Sequence, residues 1–482
     1  VNARIGRLLL VLSLAFVVLI GTTSYWQLWA APSLDARRDN PRLVYRQLSI
    51  DRGRILTSDG TVLAESIGHS ANGRTIYHRR YPSGALASAV VGYASIQASE
   101  AGIERAQDDV LSGASGSLGG GTDLLGTLVG RTVRGDDVVL SLSARLQKVA
   151  TSALRHTGHR GAVVAIEPST GRVLAMVSLP SYDPNLVDNG FGSLLRRRDG
   201  VLLNRATQGL YPPGSTFKVV TAATALDGGS LTADSTFPGG SCITVFRPLC
   251  NASGEVAPNP NTLADALVQS YNTTFAQVGQ QVGSAALYDE MQRFGFGSLP
   301  PLDYPTAQMT SSGIFVGKRR VASRSTRFDV ARVAIGQGGL LVTPLQMAEV
   351  VATIANGGVV MAPHLVDRVR DRTGQLVVAT APQSLGRAIS SATAATLTGI
   401  MRRVVDEGTG QAAQLGGLEV AGKTGTAQTA RAGLNDAWFI AFAPASSPRI
   451  AIAVVVEDTT DFGGVIAAPI ARDVIRALLG GG

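Results

Sequence analysis

Tyr211-Pro212-Pro213-Gly214-Ser215-Thr216-Phe217-Lys218 runs directly into Val219-Val220-Thr221-Ala222-Ala223-Thr224-Ala225-Leu226. Two prolines and a glycine bar regular structure up to Ser215, and the alanine-rich run after it predicts a buried helix. Ser215 is thereby expected on the first turn of that helix, where unpaired backbone N–H groups and the helix dipole favour a developing negative charge. Lys218 follows three residues later, which puts its side chain on the face of the Ser215 hydroxyl. A lysine held beside a serine at the mouth of an apolar helix can lose its proton and act as a base. Taken alone, the pattern also fits a serine cap with a solvated lysine one turn on, because common residues produce Ser-x-x-Lys about once in a chain of this size. Other stretches of the chain decide between the two.

The 482 residues exceed one ordinary core and predict two or three domains. Hydrophobic residues make up 45% and charged residues 16%, which excludes a mostly disordered chain. A formal net charge of +8 suits nucleic acid, an anionic membrane surface or an acidic polymer. With no arginine-rich helix and no basic stripe interleaved with aromatics, nucleic acid is not an expected partner. The charge reads instead as a diffuse surface facing an anionic envelope. Cys242 and Cys250 are the only cysteines, in a Gly/Pro-rich loop and too few for a zinc site. They either close a small disulfide loop in an oxidising compartment or stand as two free thiols, and their spacing leaves both open. His156 and His159 have no carboxylate at metalloprotease spacing and read as surface residues.

From Leu8 to Leu34 there is no charged residue, and Tyr25, Trp26 and Trp29 stand where an interfacial aromatic belt would lie. The stretch is long enough for one membrane span. Trp29-Ala30-Ala31-Pro32 makes a poor cleavage site, which favours an uncleaved anchor over a signal peptide. Orientation is not settled by charge, since Arg4 and Arg7 precede the span while Arg37, Arg38 and Arg42 follow it. The short N-terminal tail suggests that the long C-terminal part is translocated.

Residues 35 to 140 read as strand and loop, with a turn at Ser58-Asp59-Gly60 and a Gly/Ser-rich connection from Ser112 to Gly121. A strand at Val138–Leu142, a helix from Ala144 to Leu154 and a doubly buried hairpin from Gly161 to Val177 follow. Helical patterns span Leu263 to Val282, Pro344 to Asn356, Ser390 to Glu407 and Ile466 to Leu479. Strand patterns span Leu418 to Thr429, Asp436 to Ala443 and Arg449 to Glu457. Strands with helices before, between and after them predict a mixed α/β domain of over 300 residues.

Three sparse motifs occur in order: Ser215-Thr216-Phe217-Lys218, Ser270-Tyr271-Asn272 and Lys423-Thr424-Gly425-Thr426, with first residues 55 and 153 apart. The middle one is weak by itself, and Ser70-Ala71-Asn72 matches it too. Lys-Thr-Gly is rarer and lies on an apolar strand, where Gly425 lets another backbone or a ligand lie close. Together these motifs resemble the serine penicillin-binding proteins and β-lactamases. The nearer resemblance is to the membrane-anchored class B penicillin-binding proteins, and among them to the penicillin-binding protein A group of actinobacteria. It covers nearly the whole chain, including Arg52-Gly53-Arg54-Ile55, Gly102-Ile103-Glu104, Asn204-Arg205-Ala206, Gly336-Gln337-Gly338 and Thr343-Pro344-Leu345-Gln346. No stretch before residue 140 resembles a glycosyltransferase, which argues against class A. Tyr271 stands where β-lactamases commonly show aspartate.

The resemblance implies a peptidoglycan D,D-transpeptidase of cell wall synthesis and division that binds β-lactams covalently. Its implied architecture is an anchor (1–31), a mainly β-rich pedestal or dimerisation-like module (32–143) and a transpeptidase domain (144–482) with a central antiparallel sheet flanked by helices. Ser215 would attack the carbonyl between two terminal D-alanines of a stem peptide, with Lys218 taking its proton. Ser270, helped by Lys423, would relay a proton to the departing D-alanine, while Asn272 binds the peptide amide and holds Lys218. Backbone N–H groups of Ser215 and Thr426 would form the oxyanion hole. Thr424, Gly425 and Thr426, with the charge of Lys423, would hold the terminal carboxylate. A neighbouring stem-peptide amine would take the acyl group, with no metal or cofactor. Implied partners are stem peptides, β-lactams, the cell membrane, and other wall-synthesis or division proteins. The implied location is a single-pass cell-membrane protein with an extracytoplasmic catalytic domain. A D-Ala-D-Ala carboxypeptidase, a β-lactamase and a non-catalytic β-lactam-binding scaffold share the motifs and are the alternatives.

Overall fold

The computed structural model describes residues 2–30, 48–71, 74–114, 134–245, 247–317, 319–321, 328–429 and 431–480, and every structural statement below concerns those residues. Most of the Gly/Ser-rich connection after Ser112, and Asn72 of the second Ser-x-Asn match, lie outside them.

The chain opens with helix α1 (Asn2–Ser24), continued by a π-helical turn at Tyr25–Ala30. Arg4–Gln27 is the one described helix long and apolar enough to cross a membrane, with mean hydropathy 2.3 and no part buried in the protein. Strands β1 (Ile55–Leu56), β2 (Val62–Ala71), β3 (Arg74–Arg80) and β4 (Asp137–Leu140) follow, with a two-stranded pair, Tyr93–Ser95 and Ser99–Ala101, between β3 and β4. The turn expected at Ser58-Asp59-Gly60 joins β1 to β2, with the Thr57 N–H donating to the Thr61 carbonyl. Helix α2 (Ala144–His156) starts at Ser143, whose hydroxyl accepts from the Leu146 N–H. Strands β5 (Gly161–Ile166) and β6 (Val173–Leu179) pair as the expected hairpin, buried on both faces.

Helix α3 (Lys218–Asp227) carries the alanine-rich run, and a small hairpin of β7 (Cys242–Val245) and β8 (Arg247–Cys250) comes next. Helices α4 (Leu263–Gln269), α5 (Asn272–Arg293) and α6 (Pro344–Ala355) precede strands β9 (Val366–Arg370) and β10 (Leu376–Ala379). Thr262 caps α4, and Thr343 caps α6 with Pro344 at its first position, where a missing N–H costs nothing. Helix α7 (Ser391–Asp406), strands β11 (Ala421–Gln428), β12 (Asn435–Ala443) and β13 (Ile450–Thr459), and helix α8 (Gly463–Leu479) complete the chain.

Strands β11-β12-β13-β5-β6 form one antiparallel sheet in that order. Alternation along β13 divides the core between its faces. Ile450, Ile452, Val454 and Val456 pack with Leu146 and Leu154 of α2 and with Ile470 and Val474 of α8. Ala451, Ala453 and Val455 pack on the opposite side, in the core that holds Phe217, Val220, Phe275, Met347 and Val351. Helices therefore cover both faces, the mixed α/β arrangement that the pattern predicts.

The second sheet runs β10-β9-β4-β1-β2-β3, with β1 and β4 parallel and the other pairs antiparallel. It draws on chain from both sides of residue 143. Nearby, Tyr81 and Asn185 exchange two hydrogen bonds of 2.9 Å, and the Tyr304 hydroxyl donates to the Ala89 carbonyl at 2.6 Å. These bonds tie the N-terminal module to the larger domain.

Candidate active site

The nucleophile turn is fixed from three sides. Tyr211 exchanges backbone hydrogen bonds with Val342, at 3.0 and 2.8 Å, and the Trp438 indole donates to the Pro212 carbonyl at 3.0 Å. The Gly214 N–H donates to the Gly336 carbonyl at 3.0 Å. Gly214 takes φ +52°, so the chain enters as a tight 3-10 turn, Gly214–Phe217, and α3 begins only at Lys218. Ser215 thus lies on a 3-10 turn ahead of the α-helix where the sequence predicts the helix's own first turn, because the residues before it set a tighter entry. The turn rests against β11 at Gly425. A Cβ there would stand 2.8 Å from both the Pro213 carbonyl oxygen and Thr216 Cγ2. The close neighbour expected at Gly425 is therefore the backbone of the nucleophile turn.

Ser270 lies at the break between α4 and α5, where the sequence pattern predicts one helix from Leu263 to Val282. It adopts φ +69°, ψ +36°, a left-handed conformation rare outside glycine, asparagine and aspartate. Such strain costs on the order of 1–3 kcal/mol and persists only where the surroundings fix it. Here it turns the Ser270 carbonyl and hydroxyl toward two buried lysines. Lys218 Nζ donates to the Ser270 carbonyl at 2.6 Å and to Asn272 Oδ1 at 2.8 Å, with Ser270 Oγ at 3.4 Å. Lys423 Nζ lies 2.9 Å from Ser270 Oγ and donates to the Thr424 carbonyl at 3.0 Å. The Ser270 hydroxyl therefore bridges two amines.

Both amines are fully buried. Burial, and then the charge of Lys423, holds Lys218 well below the ordinary lysine range. Burial pushes Lys423 down to about 7. A neutral Lys218 has two N–H donors, and both are consumed by atoms that only accept, the Ser270 carbonyl and Asn272 Oδ1. The orientation of Asn272 is set by its other end, where Nδ2 donates to the Cys250 carbonyl at 2.9 Å. What remains on Lys218 is its lone pair, the equipment of a base. No hydrogen bond joins Lys218 to the half-buried Ser215 hydroxyl among the described residues. The donors of Lys218 go instead to the second motif, to the Ser270 carbonyl and Asn272 Oδ1.

Thr424 and Thr426 differ in their partners. Thr426 Oγ1 accepts from the Gly463 N–H at the start of α8, at 3.3 Å, which leaves its own proton free to donate outward. Thr424 Oγ1 pairs at 2.6 Å with Oγ1 of Thr409, a residue that no motif in the sequence singles out. The missed residues also include Gly463, whose Cβ would stand 2.0 Å from the Trp438 carbonyl oxygen and 2.3 Å from that of Gly425. The Gly463-Gly464 pair was the available signal for that close approach. Strand β11 is the edge of its sheet, so one side of its backbone is unpaired, beside the nucleophile turn. Cys242 and Cys250 are joined, with S–S 2.06 Å. His156 lies at the end of α2 with Nδ1 2.7 Å from the Ser152 carbonyl oxygen.

Residues 161–476 match the penicillin binding protein transpeptidase domain, and residues 52–138 match the penicillin binding protein A dimerisation domain. The chain belongs to the class B penicillin-binding protein transpeptidases. It is 36% identical to the peptidoglycan D,D-transpeptidase PbpA of Mycolicibacterium smegmatis, over 99% of this chain and 99% of that protein. Its identity to the PbpA of Mycobacterium tuberculosis is also 36%, over 100% of this chain and 99% of that one. Among solved structures, penicillin-binding protein A from M. tuberculosis as its ceftriaxone acyl-enzyme superposes with a TM-score of 0.80 at 36% identity, covering 90% of this chain and 99% of that one. The imipenem acyl-enzyme of the same protein gives 0.80 at 35% identity, with 90% and 100% covered. In this penicillin-binding protein the three motifs meet: the nucleophile turn rests on the edge strand β11, and the lysines of the first and third motifs both reach Ser270.

Proposed function

We propose that the protein is a peptidoglycan D,D-transpeptidase that works through an acyl-enzyme on Ser215. The observation that carries the reading is the Ser270 hydroxyl placed between two buried amines, one of them with its lone pair unspent. Lys218 takes the Ser215 proton as Oγ attacks the carbonyl between two terminal D-alanines. The backbone N–H groups of Ser215 and Thr426 stabilise the oxyanion, and the unpaired edge of β11 receives the extended peptide. The proton moves from Lys218 through Ser270 to the departing D-alanine, with Lys423 stabilising the Ser270 oxygen in transit. Lys423 and the Thr426 hydroxyl hold the terminal carboxylate, with Gly425 keeping the strand close to the turn. Thr424 helps orient the Lys423 ammonium while sharing its own hydroxyl with Thr409. An amine from a second stem peptide then takes the acyl group. β-Lactams enter the same path and stop at the acyl-enzyme.

In this reading residues 1–31 form the tail and anchor, 32–143 the pedestal and dimerisation-like module, and 144–482 the catalytic domain. The catalytic domain faces the extracytoplasmic side, where a Cys242–Cys250 bridge persists. Other wall-synthesis and division proteins are its partners at the membrane.

Intact mass spectrometry of the full chain in detergent with benzylpenicillin tests the reading. The expected result is a persistent adduct on Ser215, absent from Ser215→Ala while circular dichroism stays unchanged. An adduct retained by folded Ser215→Ala removes Ser215 from the nucleophile role. Rapid return to the free mass with hydrolysed drug means a β-lactamase, and no adduct from folded protein means a scaffold.

A further inference from the structure

Resting on the reading of Lys423 and Thr426 as holders of the substrate carboxylate, we infer that Thr409 is a further binding residue for that carboxylate, with Thr424 linking the Thr409 hydroxyl to the Lys423 ammonium. Thr424 Oγ1 and Thr409 Oγ1 are 2.6 Å apart, and Lys423 Nζ stands 3.4 Å from Thr424 Oγ1. Two hydroxyls carry two protons and use one in the bond between them, so one proton is left to point outward. Accessibility decides which. Thr424 is buried, at 7% exposure, whereas Thr409 is exposed. The Lys423 ammonium faces the Thr424 oxygen, which turns the Thr424 proton toward Thr409 and leaves the Thr409 proton for an incoming anion. Each donor in such a row polarises the next, so the cation behind Thr424 strengthens what Thr409 offers.

The backbone holds Thr409 in place without help from its side chain. Thr409 follows helix α7, where the Gly408 N–H donates to the Arg403 carbonyl at 3.0 Å and the Gly410 N–H to the Val404 carbonyl at 2.9 Å. A Cβ on Gly464 would stand 2.4 Å from the Thr409 carbonyl oxygen and 3.4 Å from Thr424 Cγ2, so the start of α8 lies against both threonines. One residue earlier, the Gly463 N–H donates to Thr426 Oγ1 at 3.3 Å. Thr409, Thr424 and Thr426 therefore gather around one helix start, beside the Lys423 amine. Among the described residues the Thr409 hydroxyl has no hydrogen bond except the one to Thr424. A hydroxyl kept only to join α7 to β11 needs no access to the surface. This one has it, next to a buried cation that a carboxylate would seek.

The test uses the full chain in detergent and compares acylation by benzylpenicillin with acylation by its methyl ester, which keeps the reacting ring and lacks the carboxylate charge. Both are followed below saturation, where the rate reports binding and chemistry together. Thr409→Val removes the hydroxyl at nearly constant volume. It is expected to slow acylation by benzylpenicillin about tenfold, the scale of one hydrogen bond to a charged group, and to leave the ester within about twofold of wild type. Thr409→Ser restores a hydroxyl and is expected to recover most of the benzylpenicillin rate. Thr424→Val cuts the same row, so the double variant Thr409→Val/Thr424→Val is expected to be no slower than the slower single variant. Thr409→Ala replaces Thr409→Val, with the same expectations, if the valine changes the circular dichroism spectrum. Benzylpenicillin acylation within about twofold of wild type in the variant without the hydroxyl overturns the inference. So does an equal fall with acid and ester, which makes Thr409 a prop for β11 and no more. A serine variant as slow as the valine variant overturns it too, as do single losses that multiply in the double variant. Failure of the wild-type protein to acylate at Ser215 is a different outcome and overturns the proposed function itself.

Discussion

At the scale of single residues, the chemistry turns on two lysines held in unequal surroundings. Burial and the neighbouring Lys423 charge depress Lys218 well below the ordinary lysine value, and burial alone takes Lys423 to about 7. The productive state has Lys218 neutral and Lys423 charged. It exists above the Lys218 value and is lost as pH rises through about 7, when Lys423 gives up its proton. The acylation rate for benzylpenicillin, followed by stopped flow from pH 5 to 9, is therefore expected to decline above pH 7, with a limiting slope of about tenfold per unit. A flat profile from pH 7 to 9 removes the Lys423 charge from its role with the carboxylate.

At the scale of elements, the site is an assembly of ends: the turn before α3, the break between α4 and α5, the edge strand β11 and the start of α8. Two glycines let these ends touch. Gly425 admits the nucleophile turn, and Gly463 admits the start of α8 against the Trp438 and Gly425 carbonyls. Gly463→Ala forces a Cβ into backbone oxygens that cannot yield like a side chain. It is expected to cost about 1–3 kcal/mol in thermal melting. Because the Gly463 N–H orients Thr426, penicillin acylation is expected to fall by at least about tenfold as well. Wild-type acylation by Gly463→Ala would mean that the start of α8 has no part in holding Thr426.

At the scale of the whole molecule, the N-terminal module is held by buried charge. Glu104 is fully buried and accepts from Arg79 Nε at 2.6 Å and Arg52 Nη2 at 3.2 Å. Breaking one partner of a buried ion pair costs more than the pair contributes, because the remaining charge is stranded. Glu104→Ala is expected to lower stability by about 3–5 kcal/mol in a melting experiment. Acylation of the remaining folded protein is expected to stay within about twofold, since this cluster touches no residue of the lysine–serine network. A large loss of acylation in folded protein would instead couple this module to the cleft.

Much of this protein was determined by local pattern. The apolar helix at the N-terminus, the doubly buried hairpin β5–β6 and the strands β11 to β13 are legible because hydrophobic periodicity and residue type act over short spans. The tertiary structure alone decided the rest. A helical pattern runs unbroken from Leu263 to Val282, yet Ser270 takes a left-handed turn because two buried lysines from distant segments need its carbonyl and hydroxyl. Strands β9 and β10 join the N-terminal sheet through backbone hydrogen bonds, which carry no sequence signature. Thr409 and the Cys250 carbonyl enter the site for the same reason: a donor or acceptor gains its role from what folding places opposite it, and that partner lies far away in the chain.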